Sequence, residues 1–413
     1  MRILVLHQTY LAPGQGGISR FNNLVREWNA AGVACTVVSC SIDNKGRKVP
    51  GFRNRLRYVE SDDGLLRVVR AVGARKFNRS FVDRIVGYNL FALTALWAGL
   101  REKGWDLVLV SSPPLLLGLA GLGLRLFRRK PLVFEVRDLW PESAIDMGTL
   151  RNPLAIGLSR WLEKTCYRRA ALLPVVTPAF PEAVRAVWPV PEDRFLLVPN
   201  CPDLSRMRPN PEAVSDLRRR LGLEGCFVAG YFGNHGISAN LRQVVDAAEP
   251  LRAHPDIRFL LVGEGMDKPA LQDRARELGL DNIHFLDEVA KDQVATYMGA
   301  ADLCLVSLGP AAAFSRVYPS KMLDAMACER PVLSTVDGAA RALLDEAGCG
   351  ETVPVNRPDL LARRIREMSR EPGRLADMGH RGRAYLETHF RLDDMALRYR
   401  QALERVAAGG TRP

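Results

Sequence analysis

The chain opens on four successive apolar residues, Ile3–Leu6, with no polar position between them. A run without alternation is the pattern of a parallel strand buried on both faces. A loop follows, Ala12-Pro13-Gly14-Gln15-Gly16-Gly17. Phe21, Leu24, Val25 and Trp28 then recur at helical spacing up to Gly32, with Ser19 positioned to cap the helix. Ala34–Val38 reads as a second buried strand, which makes a βαβ unit with a right-handed crossover.

The alternation continues through Leu107–Val110 (strand), Leu115–Phe127 (helix), Leu132–Val136 and Leu172–Val176 (strands). A break rich in proline, marked by Pro199, Pro202, Pro209 and Pro211, reads as a linker. Strands are then expected at Phe227–Tyr231, Arg258–Val262, Ile283–Leu286, Leu303–Val306 and Val332–Ser334. Helices are expected at Asn240–Arg252, Lys268–Leu278, Lys291–Met298 and Lys321–Ala327. The pattern predicts an α/β protein of two Rossmann-like, doubly wound parallel-sheet domains facing a cleft: 1–200, 201–394, and a last helical segment, 395–413. In such folds ligands bind beyond the carboxyl ends of the strands, so the loops there carry the candidate chemistry.

Composition narrows the class. Of 413 residues 47% are hydrophobic and 25% charged, which excludes a largely disordered chain. The net charge of +12 is uneven: residues 1–200 carry +13 and the remainder −1, with the densest basic stretch from Arg47 to Arg84. An anionic partner for the first half, or simply a solubilising surface, fits that excess. Between 75 and 100, Arg75, Lys76, Arg79 and Arg84 stand beside Phe77, Phe81, Tyr88, Leu90, Phe91 and Trp97. This is the chemistry of a helix lying on an anionic membrane surface, and equally that of a buried βαβ helix with solvated arginines. No stacking platform or recognition helix accompanies the charge, so nucleic acid is not expected as a partner.

Eight cysteines without C-x-x-C spacing suggest buried thiols rather than disulfides or zinc. Ile3–Leu6 is too short for a signal peptide, and Leu90–Leu100 and Leu115–Leu124 fall short of the ~20 residues of a membrane span. A cytoplasmic protein, peripheral at most to a membrane, is expected.

Four segments carry candidate chemistry. Gly16-Gly17, between the first strand and its helix, lets backbone approach a phosphate at a helix N-terminus, or makes a tight turn. Gly233-Asn234-His235-Gly236 closes the first strand of the second domain in the same manner, with His235 either a phosphate donor or a polar loop residue. Glu135-Val136-Arg137-Asp138-Leu139-Trp140-Pro141-Glu142 follows a buried strand. There Asp138 or Glu135 could orient an acceptor hydroxyl, and Arg137 an anion. In Tyr318-Pro319-Ser320-Lys321-Met322-Leu323-Asp324, Ser320 is expected at the N-cap of a helix, Lys321 at its anion-binding tip and Asp324 one turn on. The G-x-x-G-x-G string from Gly118 to Gly123 follows no strand and reads as helix packing rather than a dinucleotide site.

Gly16-Gly17, the 135–143 string, and Pro319-Ser320-Lys321 with Met326-Ala327-Cys328-Glu329-Arg330-Pro331-Val332 together resemble the family 4 glycosyltransferases of the GT-B fold. The bacterial surface-polysaccharide branch, with fucosamine-transferase-like and colanic-acid enzymes, is most similar. Val262-Gly263-Glu264-Gly265, Leu278-Gly279-Leu280 and Phe285 are similar to the family's donor domain. The resemblance implies a retaining transferase that moves a sugar from a nucleotide-sugar, UDP-linked, to a glycan or polyprenyl-diphosphate-linked acceptor. The donor would be held mainly by the second domain, and the last helix would cross back to the first. It implies no cofactor and no metal, in keeping with the lack of any Asp-x-Asp string.

On this reading Gly16, Gly17, Gly233, Asn234, His235, Gly236, Glu264, Ser320, Lys321 and Asp324 bind the donor. Asp138, Glu135 and Lys321 are the catalytic candidates, and Arg137 and Glu142 lie on the acceptor side. Where the family carries two glutamates with seven residues between them, this chain has Arg316 and Asp324, and its usual arginine after the glycine loop falls near Ile237. A nucleotide-sugar-binding scaffold without turnover and a sugar epimerase are the rival readings.

Overall fold

The structure, a computed structural model, describes residues 1–11, 20–42, 48–49, 51–52, 56–74 and 81–409. Gly16, Gly17, Ser19, Arg75, Lys76, Phe77 and Arg79 lie outside them. The chain forms two compact units, Met1–Pro199 with Leu392–Pro413, and Asn200–Arg391.

The first unit runs β1 (Arg2–Leu6), α1 (Arg20–Ala30), β2 (Ala34–Cys40), β3 (Arg57–Asp62), β4 (Leu66–Ala71), α2 (Phe81–Arg101) and β5 (Leu107–Ser112). It continues with α3 (Leu117–Arg128), β6 (Leu132–Val136), α4 (Glu142–Asp146), α5 (Pro153–Arg169), β7 (Leu173–Val175), α6 (Phe180–Val187) and β8 (Phe195–Leu197). Its sheet has the order β3-β4-β2-β1-β5-β6-β7-β8, parallel except where β3 runs against β4. Ile3 and Val5 of β1 join the core beneath α1. Leu4 faces the other layer, where a Cβ on Gly99 of α2 would lie 3.3 Å from its methyl.

The Gly118–Gly123 string lies inside α3 and is a packing stripe. A Cβ at Gly121 would come within 2.4 Å of Val110, and one at Gly118 within 2.6 Å of the Cys166 sulfur. The described part of the 75–100 segment is helix α2, which buries Phe91, Ala95 and Ala98 against the sheet and leaves Val86, Leu93 and Trp97 exposed, so both readings of the segment stay open. The β3–β4 pair, where the basic stretch is densest, was not expected from the sequence. Its arginines are largely engaged. Arg70 is buried, donating to Glu60 at 2.7 Å and to the Tyr10 carbonyl at 2.7 Å, while Arg57 and Arg67 share Glu102. All eight cysteines are free, and six of them are buried.

The second unit runs α7 (Pro211–Arg220), β9 (Phe227–Phe232), α8 (Arg242–Leu251), β10 (Ile257–Val262), α9 (Lys268–Glu277), β11 (Ile283–Leu286), α10 (Val294–Gly299) and β12 (Leu303–Val306). It ends with α11 (Ser320–Ala327), β13 (Val332–Ser334), α12 (Ala339–Ala347), β14 (Gly350–Thr352), α13 (Pro358–Met368) and α14 (Pro372–His389). All pairings in the sheet β11-β10-β9-β12-β13-β14 are parallel. Arg383 of α14 is buried and donates to the carbonyls of Met207 (3.0 Å), Ala327 (2.6 Å) and Leu204 (3.0 Å). It thereby ties the end of α11 to the segment entering the unit.

The last helix, α15 (Leu392–Ala407), completes the first unit. Trp28 of α1 donates its indole N–H to the Ala396 carbonyl at 3.0 Å and meets the Tyr399 ring edge-on at 5.3 Å. Among the described residues no helix is long and apolar enough to cross a membrane.

Candidate active site

In the second unit the loops that follow β9 and β10 are pressed backbone to backbone. Gly233 has φ +145° and Gly263 φ +150°, conformations that L side chains rarely adopt. A Cβ on Gly263 would fall 1.9 Å from the Gly233 carbonyl oxygen, and one on Gly265 2.3 Å from the His235 backbone. The contact is stitched by Gly233 N–H to Val262 O (3.0 Å), His235 N–H to Glu264 O (2.8 Å) and Asp267 N–H to His235 O (3.0 Å). Glycine is required here by close approach, and the two loops act as one rigid piece.

His235 is fully buried in that piece, and neither ring nitrogen has a hydrogen-bond partner. The loop position is as read, but the side chain is enclosed rather than solvated. Burial, then the charges of Lys268 and Lys321, push its pKa down to about 4, with the Val262 backbone opposing weakly. At neutral pH the imidazole therefore offers one N–H and one lone pair, not a positive charge.

Lys321 stands at the second position of α11. A Cβ on Gly233 would lie 3.6 Å from its Nζ, so the ammonium sits against the glycine loop. It donates to the Tyr231 hydroxyl and lies 4.2 Å from the centre of that ring, and the hydroxyl donates to the Asn234 carbonyl at 3.0 Å. Burial lowers the lysine pKa to about 8. Among the described residues no carboxylate forms an ion pair with it, so the largely buried ammonium has no counter-charge there. Of the first-turn N–H groups of α11, that of Met322 is taken by the Pro319 carbonyl, while those of Ser320 and Lys321 precede any intrahelical acceptor.

Ser320 is exposed and already helical, which corrects its expected place at the N-cap. Pro319 holds that position with φ −57° and ψ 125°, and its carbonyl accepts from Met322 N–H at 2.9 Å. Proline sets the extended entry and brings no capping group, so the helix tip is left without a side-chain cap. Asp324, one turn on and half-buried, has its pKa raised by burial to about 6, with Lys291 opposing. Glu264 is engaged by Lys268, which donates to it at 2.7 Å, to Asp287 at 2.7 Å and to the Leu286 carbonyl at 3.1 Å. Lys268 clamps the loops after β10 and β11, and its nearness to the site was not read from the sequence. Arg316 and Ile237 are both exposed.

In the first unit, Glu135 on β6 is fully buried and accepts from Arg20 Nε at 3.0 Å and from Ser111 Oγ at 2.8 Å. Arg137 Nε donates to the same Ser111 oxygen at 2.8 Å and lies 3.6 Å from Glu135. Arg20 also donates to the carbonyls of Val198 and Pro199, each at 2.6 Å. With both oxygens engaged and no exposed surface, Glu135 cannot meet an acceptor in this arrangement. It positions Arg20 and Arg137 instead, a correction to its catalytic reading.

His7 is buried nearby, with its pKa held well below normal by burial and by Arg137 and Arg20. Glu142 forms a forked pair with Arg160 of α5 at 3.0 and 3.1 Å. Asp138 is half-buried, as is Glu142, and its pKa is raised by burial against the Ser143 side chain, the Leu139 backbone and Arg137. The string therefore sends its acids in three directions. The second-unit candidates Gly233, His235, Glu264 and Lys321 do converge. Gly16 and Gly17 lie outside the described residues.

Comparison with known proteins follows the same division. Residues 226–371 match the family model of group 1 glycosyl transferases, and residues 15–201 match the glycosyl transferase 4-like domain. WcaI of Escherichia coli, named as a colanic acid biosynthesis glycosyl transferase, is 24% identical over 345 residues, covering 79% of this chain and 81% of its own. Among solved structures, sucrose-phosphate synthase from Thermosynechococcus elongatus superposes with a TM-score of 0.76 at 19% identity, over 99% of this chain and 100% of its own. HepE of Anabaena, in complex with UDP, gives 0.70 at 17% identity, over 98% and 100%. The chain belongs to the family 4 glycosyltransferases and has their GT-B fold.

Proposed function

We propose that this transferase takes its sugar, a hexosyl or N-acetylhexosaminyl group, from a UDP-sugar held by the second unit. The acceptor is a glycan or a polyprenyl-diphosphate-linked sugar met by the first unit at the cytoplasmic face of an anionic membrane, in surface-polysaccharide or glycoconjugate assembly. The reading is carried by one observation: the desolvated Lys321 ammonium against the Gly233 loop, at the uncapped tip of α11. A diphosphate supplies what that position lacks, a counter-charge and acceptors for the helix N–H groups. The UDP in HepE and the colanic acid role in the name of WcaI favour the same donor and setting.

Transfer is proposed to retain anomeric configuration. The bond from the anomeric carbon to the phosphate oxygen breaks as the acceptor oxygen bonds to that carbon on the same face, and the acceptor proton passes to the departing phosphate. No protein base is needed. Lys321 and the α11 tip stabilise the charge that develops on the diphosphate, Ser320 adds a hydroxyl at that tip, and Asp324 holds ribose or sugar hydroxyls. Asp138 orients the acceptor, and Arg137, fixed by Glu135 and Ser111, faces its anion. Metal is not assigned a role.

A panel of nucleoside diphosphates and their sugars in a thermal-shift assay tests the donor. UDP compounds are expected to raise Tm in proportion to affinity. A panel in which no nucleotide shifts Tm would remove the proposal. Slow hydrolysis of the stabilising UDP-sugar without acceptor separates a transferase from a scaffold.

A further inference from the structure

Helices α2, α3 and α5 lie side by side on one face of the first-unit sheet, joined where Gly123 meets Leu96 and Gly118 meets Cys166. Their inner sides form the core, yet their outer sides are apolar as well. Val86, Leu93 and Trp97 of α2 stand at seven- and four-residue spacing, one stripe of the helix, and all are exposed. On α5, Leu154, Leu158 and Trp161 repeat the pattern, with Leu158 68% and Trp161 59% exposed. Between them α3 exposes Leu119, Leu126 and Phe127.

Of the sixteen large hydrophobic residues exposed among the described residues, nine are on these three helices. The opposite layer, α1 with α15, has one, Leu397. Single exposed leucines need no explanation, whereas stripes on three adjacent helices mark a surface that something covers. The charge beside them says what. Arg128, Arg129 and Lys130 are exposed at the end of α3, Lys164 and Arg168 are exposed at the end of α5, and Arg101 lies 4.9 Å over the Trp97 ring. Tryptophan and leucine with arginine and lysine at the margin is the make-up of a face seated in the headgroup region of an anionic bilayer.

We infer that the α2–α3–α5 face is a monotopic docking surface for an anionic phospholipid bilayer. This places the membrane contact on the outer side of the helix layer rather than on the basic 75–84 stretch. The inference rests on the proposed lipid-linked acceptor for its purpose, but binding is measured apart from transfer.

The test is flotation of the full chain with phosphatidylglycerol/phosphatidylethanolamine vesicles and with phosphatidylcholine vesicles. It compares wild type, Leu158→Glu/Trp161→Glu and Leu93→Glu/Leu126→Glu, with the UDP-induced thermal shift recorded for each. The expected result is flotation with the anionic vesicles only, a bound fraction reduced about tenfold or more in each double variant, and an unchanged UDP shift. Flotation undiminished in both variants would overturn the inference. So would absence of flotation from a wild type that still responds to UDP, or lipid-free dimers broken by the same substitutions. A wild type that floats but ignores UDP would leave this surface standing and count against the donor reading alone.

Discussion

Lys321 at the start of α11 donates to the hydroxyl of Tyr231 at the end of β9, 4.2 Å from the ring centre, with the Gly233 loop on its other side. The ring and the glycine backbone exclude water without supplying a negative charge. That is a costly place for an ammonium, and its pKa of about 8 registers the cost. A bound diphosphate would offset it.

The first prediction concerns pH. Because the free lysine titrates near 8 and a diphosphate raises that value, UDP binding should take up about half a proton at pH 8. Affinity should be flat between pH 7 and 7.5 and fall by up to about tenfold per unit above 8. Calorimetry in two buffers of different ionisation enthalpy measures the proton directly. Without ligand the sign reverses: the unfolded chain binds the proton more tightly, so stability rises as pH climbs through 8.

Glu135→Ala should destabilise the first unit by about 3–5 kcal/mol, because it leaves Arg20 and Arg137 without their buried counter-charge. Glu135→Gln should lose less, as it keeps the shape and one acceptor. Chemical denaturation reads the difference. A loss under about 1 kcal/mol for the alanine variant would mean that Glu135 is not the positioning anchor described.

Two glycines should respond oppositely to alanine. Gly263→Ala drives a methyl into the Gly233 carbonyl at φ +150° and should cost about 3 kcal/mol or more, or prevent folding of the second unit. Gly157, on the exposed side of α5, has nothing within 4 Å of a new Cβ, and Gly157→Ala should stabilise by about 0.5–1 kcal/mol. Urea midpoints of the two purified variants suffice.

Asp324 is held at a pKa of about 6 by burial, above the 3.8 of a free aspartate. The folded chain thus binds the extra proton, and stability should decline as pH rises from 4 through 6. Asp324→Asn should abolish that decline and be more stable at pH 7 by about 1–2 kcal/mol. The same variant should bind UDP-sugar more weakly, since the amide is a poorer acceptor for hydroxyls. Denaturation at pH 4, 5.5 and 7 beside a ligand titration separates the two effects.

How far the sequence spoke depends on whether the signal was local. β1, β5, β6, β9 and β10 are largely buried and announce themselves by mostly apolar runs, broken only by residues such as Glu135 in β6 and Arg258 in β10. β3 and β4 carry Arg57, Glu60, Arg67 and Arg70, whose charges are compensated by each other and by Glu102, a pairing that no window of sequence contains. The Lys321 tip was legible because Pro-Ser-Lys fixes a helix start, although the cap residue was misread by one position. Arg20 and Glu135 are 115 residues apart, and Lys268 reaches Asp287 across two loops, so both needed coordinates. The burial of His235 within its loop was not legible, because enclosure by the 263–265 backbone leaves no mark on its own neighbours.

The central claim is that Lys321 grips the diphosphate of a nucleotide-sugar. Isothermal titration of UDP into wild type and Lys321→Ala at pH 7 tests it most directly, with circular dichroism confirming that the variant is folded. A folded variant that binds at least about tenfold more weakly is the predicted result, as expected for loss of a charge-assisted contact. Equal affinity in the two proteins would contradict the account.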